Sequence, residues 1–231
     1  TAIFRAYVSS VDNTAASVVA AKADALADVP AAANPGSNFA LTTSNDVLTG
    51  TSGDDTFNAG EGAAGAATLT AGDTINGGAG VDTIRFVETD AITALPVGLA
   101  ITGVEVFTAI GGNAITLDLS SIASFTTVNS TNAAQINNIT AGAAADVNMT
   151  VTAQAITNAT INGGKDVTAT LTGALAGSDT SVGVTTAAAG AVVVSSTHNY
   201  VDNATDTLGT HTITGGTTIS STQTEGHTAA E

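Results

Sequence analysis

The chain contains no cysteine and no tryptophan, and aromatic residues make up only 3% of its 231 residues. Without cysteine, disulfide bonds cannot stabilise the fold. A secreted form therefore needs another stabilising cross-link, and a bound metal ion can provide one. So few aromatic side chains are poor material for a thick globular core. The residues that dominate instead, Ala, Thr, Gly, Ser, Asn and Val, suit a solenoid, whose thin interior takes small and β-branched side chains.

Positive charge is also scarce. Four Lys and Arg residues against 20 Asp and Glu residues give a net charge of −16. Nucleic acids and anionic membranes select basic patches, so both are poor partners for this chain. No apolar run approaches the roughly 18 residues that a membrane span requires, so we expect no membrane insertion. Divalent cations are the natural complement of such an acidic chain.

Catalytic motifs are missing as well. His198, His211 and His227 form neither an HExxH motif nor a close pair in sequence, and we interpret each as a surface residue. No G-x-S-x-G nucleophile elbow occurs among the many serines. We therefore expect no enzyme active site in this chain.

The N-terminal segment 1–30 differs in pattern from the rest. Apolar residues such as Phe4, Tyr7, Val8 and Val11 recur at helical spacing, which predicts a short α-helical segment there. A Pro/Gly-containing linker follows at 31–39, and a mostly β domain is predicted over 40–231. The start has no signal-peptide pattern and no Met, so we expect the chain to be a fragment of a longer polypeptide.

Strand signals fill the remainder of the chain. Short apolar or alternating segments predict strands at 68–70, 84–87, 101–102, 104–107, 115–119, 147–151 and 167–171. The segments ITAG (139–142) and INGG (161–164) recur, and each precedes an alternating strand. Repeats of about 20 residues favour a right-handed parallel β-solenoid, or β-roll. A β-sandwich with Gly-rich turns is the alternative.

The most specific motif is GGAGVDTIR at 77–85. It matches the nonapeptide G-G-x-G-x-D-x-U-x, where U is a large apolar residue, which marks calcium-binding β-rolls. Gly77 and Gly78 allow the turn and the close backbone approach, Gly80 is the third glycine of the motif, and Asp82 supplies a hard oxygen ligand. The segment GTSGDDTF at 50–57 follows the same template through Gly50, Gly53 and Asp55. Ordinary Asp-Gly turns between strands are the alternative reading.

Four aspartates share one nonapeptide register: Asp46, Asp55, Asp73 and Asp82, with only Ala64 breaking it. Because one β-roll coil takes two nonapeptides, residues two nonapeptides apart are expected to stack on one edge. This spacing predicts that Asp55 and Asp73 hold one calcium ion between successive coils. Asp46 and Asp82 are then expected on the opposite edge, two coils apart. A loop that bulges out over the Gly/Ala-rich stretch 59–67 is the alternative there.

Additional aspartates follow at positions 118, 146, 166 and 179. They either add calcium sites in later coils or lie in solvated turns, and the sequence leaves both readings open.

Three segments in a specific order carry a family resemblance: DVLTGTSGDDTF (46–57), AGAATLTAGDTINGGAGVD (64–82) and TALPVGLAITGVE (93–105). With them, the chain resembles RTX-type bacterial surface-layer proteins. The resemblance implies a calcium-loaded β-solenoid that assembles with its own copies into a lattice outside the cell, and type I secretion. It also implies an N-terminal helical domain that binds surface polysaccharide, of which residues 1–30 would be the end. A secreted RTX adhesin or extracellular filament protein, and the non-catalytic part of an RTX hydrolase, remain alternatives.

Overall fold

The computed structural model describes residues 35–61, 65–132, 136–152, 158–174, 179–201 and 209–228. Gly36–Glu231 forms one compact unit. The helices predicted within 1–30 lie outside the described residues. In the part of the chain that is described, no helix is long and apolar enough to cross a membrane.

Strands account for nearly all regular structure in these ranges. In chain order they are β1 (Asn38–Ala40), β2 (Val47–Thr49), β3 (Thr56–Gly60), β4 (Thr74–Asn76), β5 (Thr83–Glu88), β6 (Ala100–Thr102), β7 (Val106–Gly111), β8 (Ile115–Asp118), β9 (Thr127–Asn132), β10 (Ile136–Ala141), β11 (Asp146–Thr152), β12 (Asn158–Gly163), β13 (Val167–Ala174), β14 (Asp179–Val182), β15 (Ala191–Val201), β16 (His211–Ile213) and β17 (Thr218–Thr228). The first strand begins at Asn38, inside the range that the sequence assigned to a linker.

The strands wind into a parallel β-solenoid. All odd-numbered strands form one nine-stranded sheet in chain order. The even-numbered strands form a three-stranded sheet (β2-β4-β6) followed by a five-stranded sheet (β8 to β16). Every pairing between these strands is parallel, so each coil returns to lie on the one before it. The predicted parallel solenoid is confirmed, and the β-sandwich alternative, which requires antiparallel sheets, is excluded.

The length of a coil varies along the solenoid. At its start Asn38 pairs with Thr56, and the Ser37 amide reaches Asp55, 18 positions further on, as a coil of two nonapeptides requires. In the next coil Thr56 pairs with Thr83, and the separation between stacked residues rises to 27 positions. The coils in the middle of the chain return to the predicted length, and Ile139 pairs with Ile161 as the repeated segments predict.

The long second coil has a local cause. After β3 the chain leaves the coil in a loop closed by an antiparallel bridge between Glu61 and Ala67. Residues 59 and 60 belong to β3, and positions 62–64 lie outside the described residues, so the loop that the sequence placed over 59–67 does not begin before Glu61. The strand predicted at 68–70 is absent, because these residues return the chain from the loop in a bend.

The interior is thin and filled by alternate side chains. In β11, for example, Val147, Met149 and Val151 are buried while their neighbours face outward. Several aromatic rings stack on one another in the earlier coils. Ring centroids are 4.9 Å apart for Phe39 and Phe57, 6.4 Å for Phe86 and Phe107, and 5.4 Å for Phe107 and Phe125. Phe107 therefore contacts a ring of the coil before it and a ring of the coil after it.

We predict that Phe107→Ala lowers the free energy of unfolding by about 3–5 kcal/mol, because it removes a fully buried ring and leaves a cavity. Urea denaturation measures the change. Val97→Ala is the control, since Val97 is 94% exposed and its truncation should cost almost nothing. Equal stability of the two variants would show that the stacked rings do not hold these coils together.

Candidate metal centre

Three carboxylates lie one above another where successive coils enter the nine-stranded sheet. Asp55, Asp82 and Glu105 immediately precede β3, β5 and β7. The strand register pairs Thr56 with Thr83 and Thr83 with Val106, so the residues before them are also stacked. We call these three residues the acidic column. Because parallel coils stack in register, equivalent positions lie over one another. In these three coils the equivalent position is occupied by an acidic residue.

Backbone amides bind the acidic column from the preceding coil. Asp55 Oδ1 accepts the N–H of Ser37 at 2.6 Å. Asp82 Oδ1 accepts the N–H of Asp55 at 2.7 Å, and Glu105 Oε2 accepts the N–H of Asp82 at 2.9 Å. Each carboxylate thus ties its own coil to the one before it.

The carboxylate of Asp55 accepts hydrogen bonds at both oxygens. Besides Ser37, it accepts the backbone N–H of Thr51 at 2.5 Å and the Thr51 hydroxyl at 3.0 Å. Desolvation by burial acts to raise the pKa of Asp55, but these hydrogen bonds outweigh it and hold the pKa below its ordinary value. Asp55 is therefore an ionised structural acceptor in this arrangement.

Asp82 is in the opposite situation. Its side chain is fully buried, and Oδ2 has no hydrogen-bond partner. Desolvation raises the pKa of Asp82, and the negative charges of Asp55, Glu105 and Asp54 raise it further, against the hydrogen bond from the Asp55 amide. A buried carboxylate oxygen without a donor is costly, so this atom needs a proton or a cation.

Glycines let the backbone approach these carboxylates closely. A Cβ added at Gly77 would collide with Asp82 Oδ2, and one at Gly50 would collide with Asp55 Oδ2. Gly78 has a φ of 102°, which residues with a side chain rarely adopt. The donors available here are carboxylate and carbonyl oxygens, the ligand type that Ca²⁺ prefers.

The second edge of the early coils carries Asp46 and Asp73, which precede β2 and β4. Asp73 Oδ1 accepts the N–H of Asp46 at 2.9 Å, and Asp73 Oδ2 accepts the N–H of Thr70 at 2.7 Å. Asp46 in turn accepts the N–H of Thr42 at 2.7 Å. These carboxylates act as turn caps and links between coils.

The predicted pairing of Asp55 with Asp73 is wrong. The long second coil stacks Asp55 with Asp82 and Asp46 with Asp73, so Asp55 and Asp73 lie on different edges. The predicted placement of Asp46 and Asp82 on one edge is wrong for the same reason. The inserted loop lengthens the coil by one nonapeptide, which moves each later aspartate to the other edge.

The eight predicted residues therefore fall into two groups. One group lies at the edge of the acidic column and consists of Gly50, Gly53, Asp55, Gly78, Gly80 and Asp82. There a Cβ on Gly80 would stand only 2.7 Å from the carbonyl of Gly53 in the coil before it. Asp46 and Asp73 lie at the other edge. Among the residues that the structure describes, no three Asp, Glu or His side chains are already grouped as a metal site.

Sequence reasoning missed Glu105 and Asp54. Glu105 stacks with Asp82 although the two are 23 positions apart, off the nonapeptide register. Asp54 accepts the N–H of Val81 at 2.8 Å from the next coil. The only signal for either was its position: Asp54 adjoins a predicted ligand, and Glu105 adjoins the apolar residues Val106 and Phe107 in the strand predicted at 104–107.

The later aspartates have other partners. Lys165 Nζ lies 3.5 Å from Asp146 Oδ1 and 3.2 Å from Asp166 Oδ2. Asp118 accepts the Ser120 hydroxyl at 2.6 Å, and Asp179 accepts the N–H of Thr210 at 2.7 Å. Asp118, Asp146 and Asp179 are terminal residues of β8, β11 and β14, and Asp166 directly precedes β13.

One histidine is not a surface residue, contrary to expectation. His198 is fully buried, and its Nε2 lies 2.8 Å from the Ser196 hydroxyl. The same hydroxyl lies 2.9 Å from His211 Nε2, and His211 Nδ1 lies 2.7 Å from the Ser221 hydroxyl. Desolvation, and then the proximity of His198, lower the pKa of His211. The side chain of His227 lies outside the described residues.

Comparison with known proteins adds no family assignment: no family model matches the chain, and no curated protein matches it.

We predict that Asp82→Asn stabilises the calcium-free chain at pH 7 by about 1–3 kcal/mol, because it removes a buried unpaired charge. Folding raises the pKa of Asp82, so the stabilisation that its protonated form contributes is fully present below the ordinary pKa of 3.8 and is lost as pH rises through the folded pKa. Urea denaturation in chelator across this pH range measures both effects. A variant that is less stable than the parent at pH 7, with the same pH slope, would contradict this account.

Proposed function

We propose that the chain is a structural subunit whose β-solenoid is stabilised by extracellular Ca²⁺ and assembles into a surface layer. The observation that carries this proposal is the buried, unpartnered Oδ2 of Asp82 at the centre of the acidic column. Hard oxygen donors, glycines that permit close approach, and a surplus of negative charge all favour a calcium ion at this edge.

Calcium acts here as a switch between a loose and a rigid solenoid. In calcium-poor cytoplasm, the acidic column repels itself and the chain has little apolar area to offset its conformational entropy. Outside the cell, millimolar Ca²⁺ fills sites with dissociation constants of about 10⁻⁴ M. One such site at about 10⁻³ M Ca²⁺ adds about 1.4 kcal/mol of stability. Folding is thereby delayed until after export.

The proposed assembly also depends on the negative charge of the chain. A chain with a net charge of −16 repels its own copies, and divalent ions reduce that repulsion and bridge acidic surfaces. A regular solenoid presents long faces that suit lattice or filament contacts. The extracellular location, the homo-oligomer and the attachment to surface polysaccharide are proposed on the family resemblance.

A second candidate, a secreted adhesin, is favoured by the outward face of the nine-stranded sheet. Asn148 Nδ2 donates to Asn129 Oδ1 at 3.1 Å, and Asn129 Nδ2 donates to Thr108 Oγ1 at 3.3 Å, so neutral polar side chains line up across three coils. Such a hydroxyl and amide surface suits a neutral saccharide.

We predict that Ca²⁺ in the millimolar range raises the melting temperature of the parent chain by several degrees and produces ordered sheets or fibres in electron micrographs. Asp82→Asn should abolish most of the thermal shift, because it removes the buried anionic ligand. Thermal unfolding followed by circular dichroism measures the shift.

Asp118→Asn is the matched control, because it also removes one carboxylate but acts at an exposed position at the end of β8. Its shift should equal that of the parent. Equal shifts in all three proteins would refute calcium binding at Asp82. Monomers that bind glycan arrays, with no assemblies at any Ca²⁺ concentration, would favour the adhesin.

A further inference from the structure

A second buried carboxylate lies at the other end of β5. The strand alternates so that Ile84, Phe86 and Glu88 face the interior of the coil. Glu88 is 9% exposed, and its Oε1 has no hydrogen-bond partner. An inward-facing acid that ends a row of apolar side chains serves no packing purpose, so its burial needs another explanation.

Glu88 faces a cavity of about 220 Å³. Apolar side chains, including Leu69, Phe86 and Ile92, form much of its wall, and Asp90 lines it together with Glu88. The space is sufficient for one ion and several water molecules, since a water molecule takes about 30 Å³ in the liquid.

Two more acids surround Glu88. Glu61 Oε1 accepts the backbone N–H and the hydroxyl of Thr89, and the N–H of Asp90 at 3.3 Å. Desolvation raises the pKa of Glu88, and the charges of Glu61 and Asp90 raise it further. Arg85, on the same strand, faces outward rather than into the coil.

We propose that Glu88, Asp90 and Glu61 form a second divalent-cation site, with Ca²⁺ as the preferred ion. Glu88 supplies the buried ligand, and carbonyl oxygens and water complete the shell that Ca²⁺ requires. Asp90 is exposed, so its side chain can rotate towards Glu88 at little cost. Glu61 is held beside the site by its hydrogen bonds to Thr89 and Asp90 and contributes negative charge there.

The site lies where the nonapeptide register fails. The antiparallel bridge between Glu61 and Ala67 flanks the break in the register, and the Glu61 carboxylate reaches the turn after β5. The insertion thus removes one aspartate from the register and brings a glutamate to a different position on the same coil. Asp82 and Glu88 are at opposite ends of β5, so the two sites are independent.

The test counts calcium ions bound to the full chain by equilibrium dialysis in an Asp82→Asn background, which removes the site at the acidic column. We expect the Asp82→Asn variant to keep one bound ion at the second site. The double variant Asp82→Asn/Glu88→Gln should bind that ion with an affinity at least tenfold lower. Asp82→Asn/Asp118→Asn is the matched control and should bind as the background does. In chelator, Glu88→Gln should melt at or above the temperature of its parent, because it removes a buried charge.

Unchanged affinity and stoichiometry in the Glu88→Gln variant would overturn the second site and leave the proposal for Asp82 intact. Conversely, a full complement of ions in the Asp82→Asn chain would refute the first site only. If circular dichroism shows that Glu88→Gln does not fold, Asp90→Asn is measured instead. A several-fold weaker affinity then supports the second site, and an unchanged affinity overturns it.

Discussion

Parallel stacking in register is the constraint on which the rest of this molecule depends. Each coil lies about 4.8 Å from the next, so a residue type that recurs at one corner meets its own copy along the whole edge. For apolar residues this repetition is stabilising, because each side chain packs against a similar one in the next coil, as the stacked phenylalanines show. For acidic residues, stacking is both stabilising and destabilising. Asp55, Asp82 and Glu105 each accept a hydrogen bond from a backbone N–H of the preceding coil, yet each also lies beside another negative charge. Asp82 is in the middle of the column, and it is there that an oxygen is left without a donor.

The solenoid has little else with which to offset such a cost. Its later coils contain small interior side chains such as Ala159 and Ala169, and polar pairs such as Ser130 and Asn137, whose side chains hydrogen-bond at 2.9 Å inside the coil. Stability therefore rests heavily on the backbone ladders between coils, which any β sequence can form. A cation that neutralises a buried acid would contribute a substantial fraction of the small net stability of such a fold. Under the proposed function, the same ion would control both folding and assembly.

The sequence was sufficient to predict the parallel solenoid, because alternation in segments such as 147–151 and the spacing of Ile139 and Ile161 are local signals that the coil geometry preserves. It was insufficient to predict which aspartates stack. A nonapeptide register is compatible with a coil of two or of three nonapeptides, and only the path of the loop after Gly60 decides between them. Glu105 was missed because its coil is not a whole number of nonapeptides, and Glu88 because an acid at the end of a strand usually faces water. The burial of His198 could not be predicted, because the sequence does not show which polar side chains of a strand point into the coil.

The most direct measurement is a crystal structure of the chain grown in millimolar Ca²⁺, with anomalous scattering used to identify the ion. We expect an ion about 2.3–2.6 Å from Asp82 Oδ2, the usual Ca²⁺–oxygen distance, with further oxygen ligands from the acidic column and the neighbouring glycine backbone. An edge without an ion, in which Asp82 remains buried and Oδ2 donates a proton to a backbone carbonyl, would contradict it.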